Sequence, residues 1–342
     1  MTARDIRIGN DGGNNMLRRY GVMIFSLAIL LALCTSASAR YGEPLELTKH
    51  APQADVICTG RVRGSVTGPA DSKGLADITM TFHVDRVIKG NIAAGDDLKV
   101  RYRDSARFPW PPILGGYQLS LLRKDGDGYA AVDSPWTSMP VSEQEHLHYA
   151  RSGDATTDLQ WEILNSLKDS DPKILEAALN QSAILTSAQV QTYVAPLADD
   201  KDPDVAIAAL TGLAKSGYPG PGVAYLETHP DVDPSRGPGG GLQVALMLAH
   251  PKSQDLPSIA ALMKSGSVAL RQIGSYMLRN SSSSAAVPYL KSALNDSDIT
   301  VRYNAVMGLS SLLRDYSHAP AFGTYRTSEQ KYLGYWKTKE IK

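Results

Sequence analysis

The one stretch of this chain in which metal-ligating side chains crowd together is Glu143-Gln144-Glu145-His146-Leu147-His148. On an extended backbone His146 and His148 would share a face and could ligate a metal, whereas on a helix they would point apart. The stretch falls between two regions of different texture, so a solvated connector is the expectation. The other histidines, His50, His83, His229, His250 and His318, are scattered. There is no His-Glu-x-x-His segment, no His-Glu dipeptide, no Gly-x-Ser-x-Gly elbow and no phosphate-binding glycine loop. Two cysteines, Cys34 and Cys58, are too few for a disulfide scaffold or a cysteine-only metal site. The expectation is therefore no catalytic residue, no metal ligand and no cofactor. The residues singled out for binding are apolar: Phe108, Trp110, Ile113 and Leu114, on a loop stiffened by Pro109, Pro111 and Pro112. They could form a lip for a protein partner or a flap folded over one end of their own domain.

Charge narrows the partners. The chain has 342 residues with Lys plus Arg 35 and Asp plus Glu 35, so no bulk field draws nucleic acid or an anionic membrane. Arg101, Arg103 and Arg107 near Tyr102, Phe108 and Trp110 imitate a single-strand-binding groove, but the flanking sequence has no sustained positive excess, and nucleic acid is not expected. Residues 16–39 join Arg18 and Arg19 to an apolar run from about Gly21 to Cys34 and the small-residue pattern Ala37-Ser38-Ala39, which predicts a secretory signal peptide. The run is shorter than the roughly 20 residues of a spanning helix, so no stable membrane anchor is expected after cleavage near Arg40. Residues 1–15 read as a misassigned start or a disordered leader. Cys34 opens a lipoprotein alternative, although Leu33 stands where a small residue is usual. In the exported chain Cys58 is the remaining thiol, and the alternating stretch around it predicts burial in a strand.

The elements that must position these residues come in two textures. Residues 40–141 alternate apolar and polar side chains in short β-branched runs broken by Gly, Asp and Pro, as antiparallel strands do. Strands are expected at 54–66, 78–88, 98–102, 117–122 and 129–132, with Ile78, Met80, Phe82 and Val84 on one face and an Asp-Gly turn at Asp125-Gly126. Five strands in so short a span suit a small β-barrel. The runs ADVICTGRV, FHVDRVIKGN, GDDLKVRY and GYQLSLLRKDGDGY resemble the OB-type barrel of netrin and metalloproteinase-inhibitor modules in exported bacterial proteins. Inhibitors of that family act through a disulfide-tied N-terminal cysteine, which this chain lacks, so inhibition does not carry over.

A linker is expected at 142–157. Beyond it the period changes to 3.6, and a unit recurs at an offset of 31 residues: Asp171-Pro172 matches Asp202-Pro203, and the segment 268–278 matches 299–309. Ala178, Ala209, Gly274 and Ala305 share one position, with Ala245 read as its counterpart in the intervening unit. Each unit has a first helix, an Asp-rich turn whose side chains cap the next helix, and a second helix with a small residue where neighbours approach. The segment VPYLKSALNDSDITVRYNAVMGL resembles a short HEAT repeat of the phycobilisome-lyase type. The Val-Arg step of that family stands at Val301-Arg302 and, as Leu-Arg, at Leu270-Arg271, while Leu175 and Ala206 replace the arginine in earlier units. The resemblance implies an α-solenoid of about five HEAT-like helix pairs over 158–316, and the aromatic tail 317–342, with a helix start at Thr327-Ser328, reads as its terminal cap.

The fold class expected is thus multidomain β + α, a small OB-like β-barrel followed by an α-solenoid. The function expected is a non-catalytic, exported protein-interaction scaffold, periplasmic or secreted. The alternatives are an enzyme or enzyme accessory related to phycobilisome-lyase HEAT proteins, or a protease-inhibitor-like barrel.

Overall fold

The computed structural model describes residues 45–105, 116–132, 138–148, 152–229, 232 and 237–340. The expected signal peptide and the binding loop bearing Phe108, Trp110, Ile113 and Leu114 lie outside these residues. The described chain is a β part followed by a helical part.

Among the described residues six strands make the β part: β1 (Val56–Thr67), β2 (Leu75–Lys89), β3 (Asp97–Ser105), β4 (Tyr117–Asp125), β5 (Gly128–Ala131) and β6 (Ser138–Pro140). The ladder runs β1-β2-β3-β5-β4-β6, and β1 also pairs with β4, so the pairings return to the strand where they begin. All are antiparallel except β3 with β5, a parallel pair that alternation alone does not reveal. The short strand β6 and a helical turn at Leu47–His50 also went unread in the sequence. Asp125 pairs with Gly128 across a tight hairpin in which Gly126 takes φ 59°, a value most side chains resist. Ile78, Met80, Phe82 and Val84 are all buried, as the alternation requires, and Met80, Phe82 and Val84 pack with Val56, Cys58, Val62 and Val100 into a core of their own.

The strands are apolar on their second face as well. Ile57, Leu119, Leu121, Met139 and Val141 belong to the same apolar cluster as Leu159, Ile163 and Leu179 of the helices, so the two parts share one core. A sheet with both faces covered reads as a continuous run, which is why Val56-Ile57-Cys58 has no polar interruption.

The helices are α1 (Ala155–Ser166), α2 (Pro172–Asn180), α3 (Pro203–Lys215), α4 (Gly220–Thr228), α5 (Gly237–Leu248), α6 (Leu256–Leu262), α7 (Val268–Arg279), α8 (Val287–Ala293), α9 (Ile299–Leu312) and α10 (Phe322–Thr338). Helix α1 begins at Ala155, capped by the Asp154 side chain, inside the stretch expected to be linker. The second helices of the units contact one another in chain order, α2 on α3, α3 on α5, α5 on α7 and α7 on α9, and α10 lies on α9. Their turns repeat a single chemistry. Asp169, Asp200 and Asp296 each accept the backbone N–H two residues on, at 2.9, 2.9 and 2.8 Å. Asp171, Asp202 and Asp298 then cap the following helix by accepting from Lys173, Asp204 and Thr300. Each cap stabilises its helix by about 1 kcal/mol.

Arg271 and Arg302 show what the Val-Arg step does. Arg302 donates to the Asp296 and Ser297 carbonyls of its own turn at 2.7 and 2.8 Å and to Glu329 of α10 at 2.7 Å. One unit earlier, Arg271 donates to the Ser265 carbonyl at 2.9 Å and to Asp296 of the next unit at 2.9 Å. Each arginine therefore ties its own turn to the following unit. In the second unit, after Leu175 and before Ala206, the chain from Ser187 to Asp199 passes through one α-turn, a π segment and a 3-10 segment around Pro196. The starts of α5 and α7 are 31 residues apart, and Ala245 of α5 is buried. Gly274 fits the close-approach reading: a Cβ there would stand 3.3 Å from the Ile259 carbonyl and from Leu262 Cβ.

Candidate functional site

The junction stretch around His146 is a clasp between the two parts. Its backbone is irregular, and the buried Asn165 of α1 holds it: the Asn165 amide oxygen accepts from the N–H groups of His146 at 2.7 Å and Leu147 at 3.1 Å. The Asn165 amide donates to the Gln144 carbonyl at 2.7 Å, and the Ser166 hydroxyl accepts from the Ser142 N–H at 3.0 Å. Glu143 forms an ion pair with Arg61 of β1. His146 faces Asp169 at 3.7 Å, and His148 is exposed. Among the described residues no group of three His, Cys, Asp or Glu side chains is placed to hold a metal.

Beside the clasp, Arg86 of β2 bridges the parts. Its guanidinium donates to Thr59 at 3.2 Å and to Glu162 of α1 at 2.8 Å, and it lies 5.5 Å from the Tyr117 ring and 5.4 Å from the Trp161 ring. Thr59 and Tyr117 share a hydrogen bond of 2.8 Å, and burial pushes the Tyr117 phenol upward. Gln181 of the helical part completes the seam, accepting from the Leu47 N–H at 3.0 Å and donating to the Leu45 carbonyl at 2.6 Å. These groups bind the chain to itself; they fix the orientation of the β part on the first helices.

Cys58 is fully buried in β1, and burial pushes its thiol up to about 12. At neutral pH almost no thiolate forms, and the thiolate is the reactive species. The native chain is expected to leave Cys58 unmodified by iodoacetamide over hours and to react at that position within minutes in denaturant, read by peptide mass spectrometry. Rapid native labelling of Cys58 would contradict the burial.

At the far end, Trp336 and Tyr325 of α10 are fully buried. Helix α10 runs from Phe322 with a kink at Ser328, so the helix start expected at Thr327-Ser328 is a break inside a longer helix. Asp315 binds Lys339 at 2.5 Å, His318 at 3.0 Å and the Tyr335 hydroxyl, and these partners hold its carboxyl far below the usual range.

Next to this end lies a group of side chains that sequence inspection did not single out. Arg279, in the last turn of α7, lies 5.2 Å from the Tyr276 ring and 5.7 Å from the Tyr303 ring. Tyr303 meets Phe322 edge-on at 5.0 Å, and Phe322 is 38% exposed. The signal available was the Tyr276–Arg279 pair at helical spacing i,i+3 in the last turn of α7.

A family model described as HEAT repeat matches residues 286–316, which take in α8, the Asp296–Asp298 turn and α9. The structure of human deoxyhypusine hydroxylase in complex with glycerol is similar at 17% identity over 54% of this chain and 76% of that chain, with a TM-score of 0.23, too low for a shared fold to follow from it. No curated protein matches the chain significantly. Among the described residues no helix is long and apolar enough to cross a membrane.

Proposed function

We propose that this chain is a non-catalytic, exported scaffold that binds a protein partner through the surface of its stacked helix pairs. The observation that carries the reading is the run of second helices in contact order α2, α3, α5, α7 and α9, with a HEAT repeat matched at its end. Units that repeat a helix pair and a capped turn build an α-solenoid, whose extended surface is suited to protein recognition. The cyclic strand pairing with a parallel β3–β5 contact supports a closed OB-type barrel of the netrin-like kind for the β part. The junction contacts support a connector role for His146 and His148, and α10 has the burial expected of a terminal cap. The signal-like segment 16–39 is the basis for export to the periplasm or beyond.

The test is a crosslinking capture with the tagged chain from its native envelope fraction. One saturable protein partner is expected, and N-terminal sequencing of the chain in that fraction should begin near Arg40. A chain that retains a metal or a small molecule and no protein would overturn the scaffold. A sequence beginning at Met1 or Met16 would overturn export.

A further inference from the structure

The cations of the helical part are spent unevenly. Arg271 and Arg302 are each consumed by a turn and an acid of the next unit, and Lys339 is held by Asp315. Arg279 is different. Its one polar contact among the described residues is a long 3.4 Å approach to the Asn304 amide oxygen, with no carboxylate within ion-pair distance. The C-terminus of α7 accounts for a cation at this place. It does not account for a guanidinium flanked by two tyrosine rings and followed by an exposed phenylalanine. Tyrosine and arginine held rigidly side by side are the residue types that dominate protein interfaces, because little side-chain freedom is lost when they bind.

Charge indicates the occupant. Residues 154–267 carry seven Lys and Arg against fourteen Asp and Glu, whereas residues 268–340 carry nine against five. Of those five acids, Asp296, Asp315 and Glu329 are paired with cations and Asp298 caps α9. The end of the stack that holds Arg279 is therefore positive, and most of its own acids are already engaged.

We propose that Arg279, Tyr276, Tyr303 and Phe322 form the docking site for an acidic peptide segment of the partner, with a carboxylate on the guanidinium and the neighbouring apolar side chain on Phe322. The proposal rests on the scaffold reading and names the partner's chemistry. An acidic segment is drawn to this end of the stack and repelled from the other.

The test pans the full chain against a display library of random peptides of about twelve residues. Enriched peptides should place Asp or Glu beside Phe, Tyr, Trp or Leu. An enriched peptide should bind Arg279→Gln and Phe322→Ala about ten-fold more weakly, with the thermal midpoint of Arg279→Gln unchanged, and should weaken as salt rises. No enrichment, enrichment of basic peptides, or acidic peptides that bind Arg279→Gln as well as the parent chain would overturn the site. Self-association that is lost in Arg279→Gln, with no peptide enriched, would assign the patch to a second copy and equally overturn it. The two proposals fail separately. A partner captured equally by Arg279→Gln removes this site and leaves the scaffold, whereas capture of no protein by the parent chain removes the scaffold itself.

Discussion

Gly60→Ala is expected to prevent the β part from forming its native ladder. A Cβ at Gly60 would stand 1.9 Å from the His83 carbonyl oxygen and 2.9 Å from its carbon, well inside any real contact. Neither side can yield easily. Gly60 pairs with Val84 on β2 and with Gln118 on β4, so the residue is held in a ladder from both flanks. The register slips between Thr59 and Gly60, and this bulge brings the two backbones together. Ordinary overpacking costs about 1–3 kcal/mol because side chains shift, but here the obstacle is backbone. The loss should exceed about 4 kcal/mol, read as a lowered midpoint in urea or as failure to accumulate folded chain. Gly64→Ala is the control on the same strand: nothing lies within 4 Å of its Cβ, and its stability should stay within about 0.5 kcal/mol of the parent. A Gly60→Ala chain that unfolds within about 1 kcal/mol of the parent would show that β1 and β2 do not approach in this way.

That contact marks the limit of what the sequence discloses. Local chemistry was legible: the Asp-x-Asp turns satisfy their own backbone within a few residues, so they recur in the sequence at the spacing they keep in the fold. Alternation at Ile78, Met80, Phe82 and Val84 was legible for the same reason, since a strand with one buried face writes its period into neighbouring positions. What depends on distant segments was not. The parallel β3–β5 pair, the pairing of β1 with both β2 and β4, and the bond from Gln181 to Leu47 join residues that no local period connects. The clasp shows the difference in a functional reading. His146 and His148 were read as part of a connector, but nothing local announced that Asn165 would accept from the backbone of His146 and Leu147. The Arg279 patch escaped notice because its members come from three helices, and only their packing gathers them.

The same kind of long-range contact gives the second large effect. Arg86→Ala is expected to cost about 2–3 kcal/mol and to loosen the β part from α1. The substitution removes the hydrogen bonds to Thr59 and Glu162 and two aromatic stacking faces at one stroke. It also leaves the Glu162 carboxylate, whose side chain is 4% exposed, without this cation, and loss of one partner of a buried pair typically costs about 3–5 kcal/mol. The figure is lower here because the Arg86 side chain is 22% exposed and part of its interaction is screened by water. Arg86→Lys keeps the charge but not the planar fork or the stacking, so it should recover less than half of the loss. Glu162→Gln combined with Arg86→Ala should be less destabilising than the two single losses added, because the residues act as a pair. The location of the effect matters as much as its size. Amides of 155–166 should exchange faster in Arg86→Ala, while the core of Cys58, Met80 and Phe82, which lies on the other face of the sheet, should hold its protection. A loss below about 0.5 kcal/mol, or faster exchange spread evenly over β2, β3 and α1, would mean that the seam is held by its apolar residues alone and that Arg86 does not orient the β part on the stack.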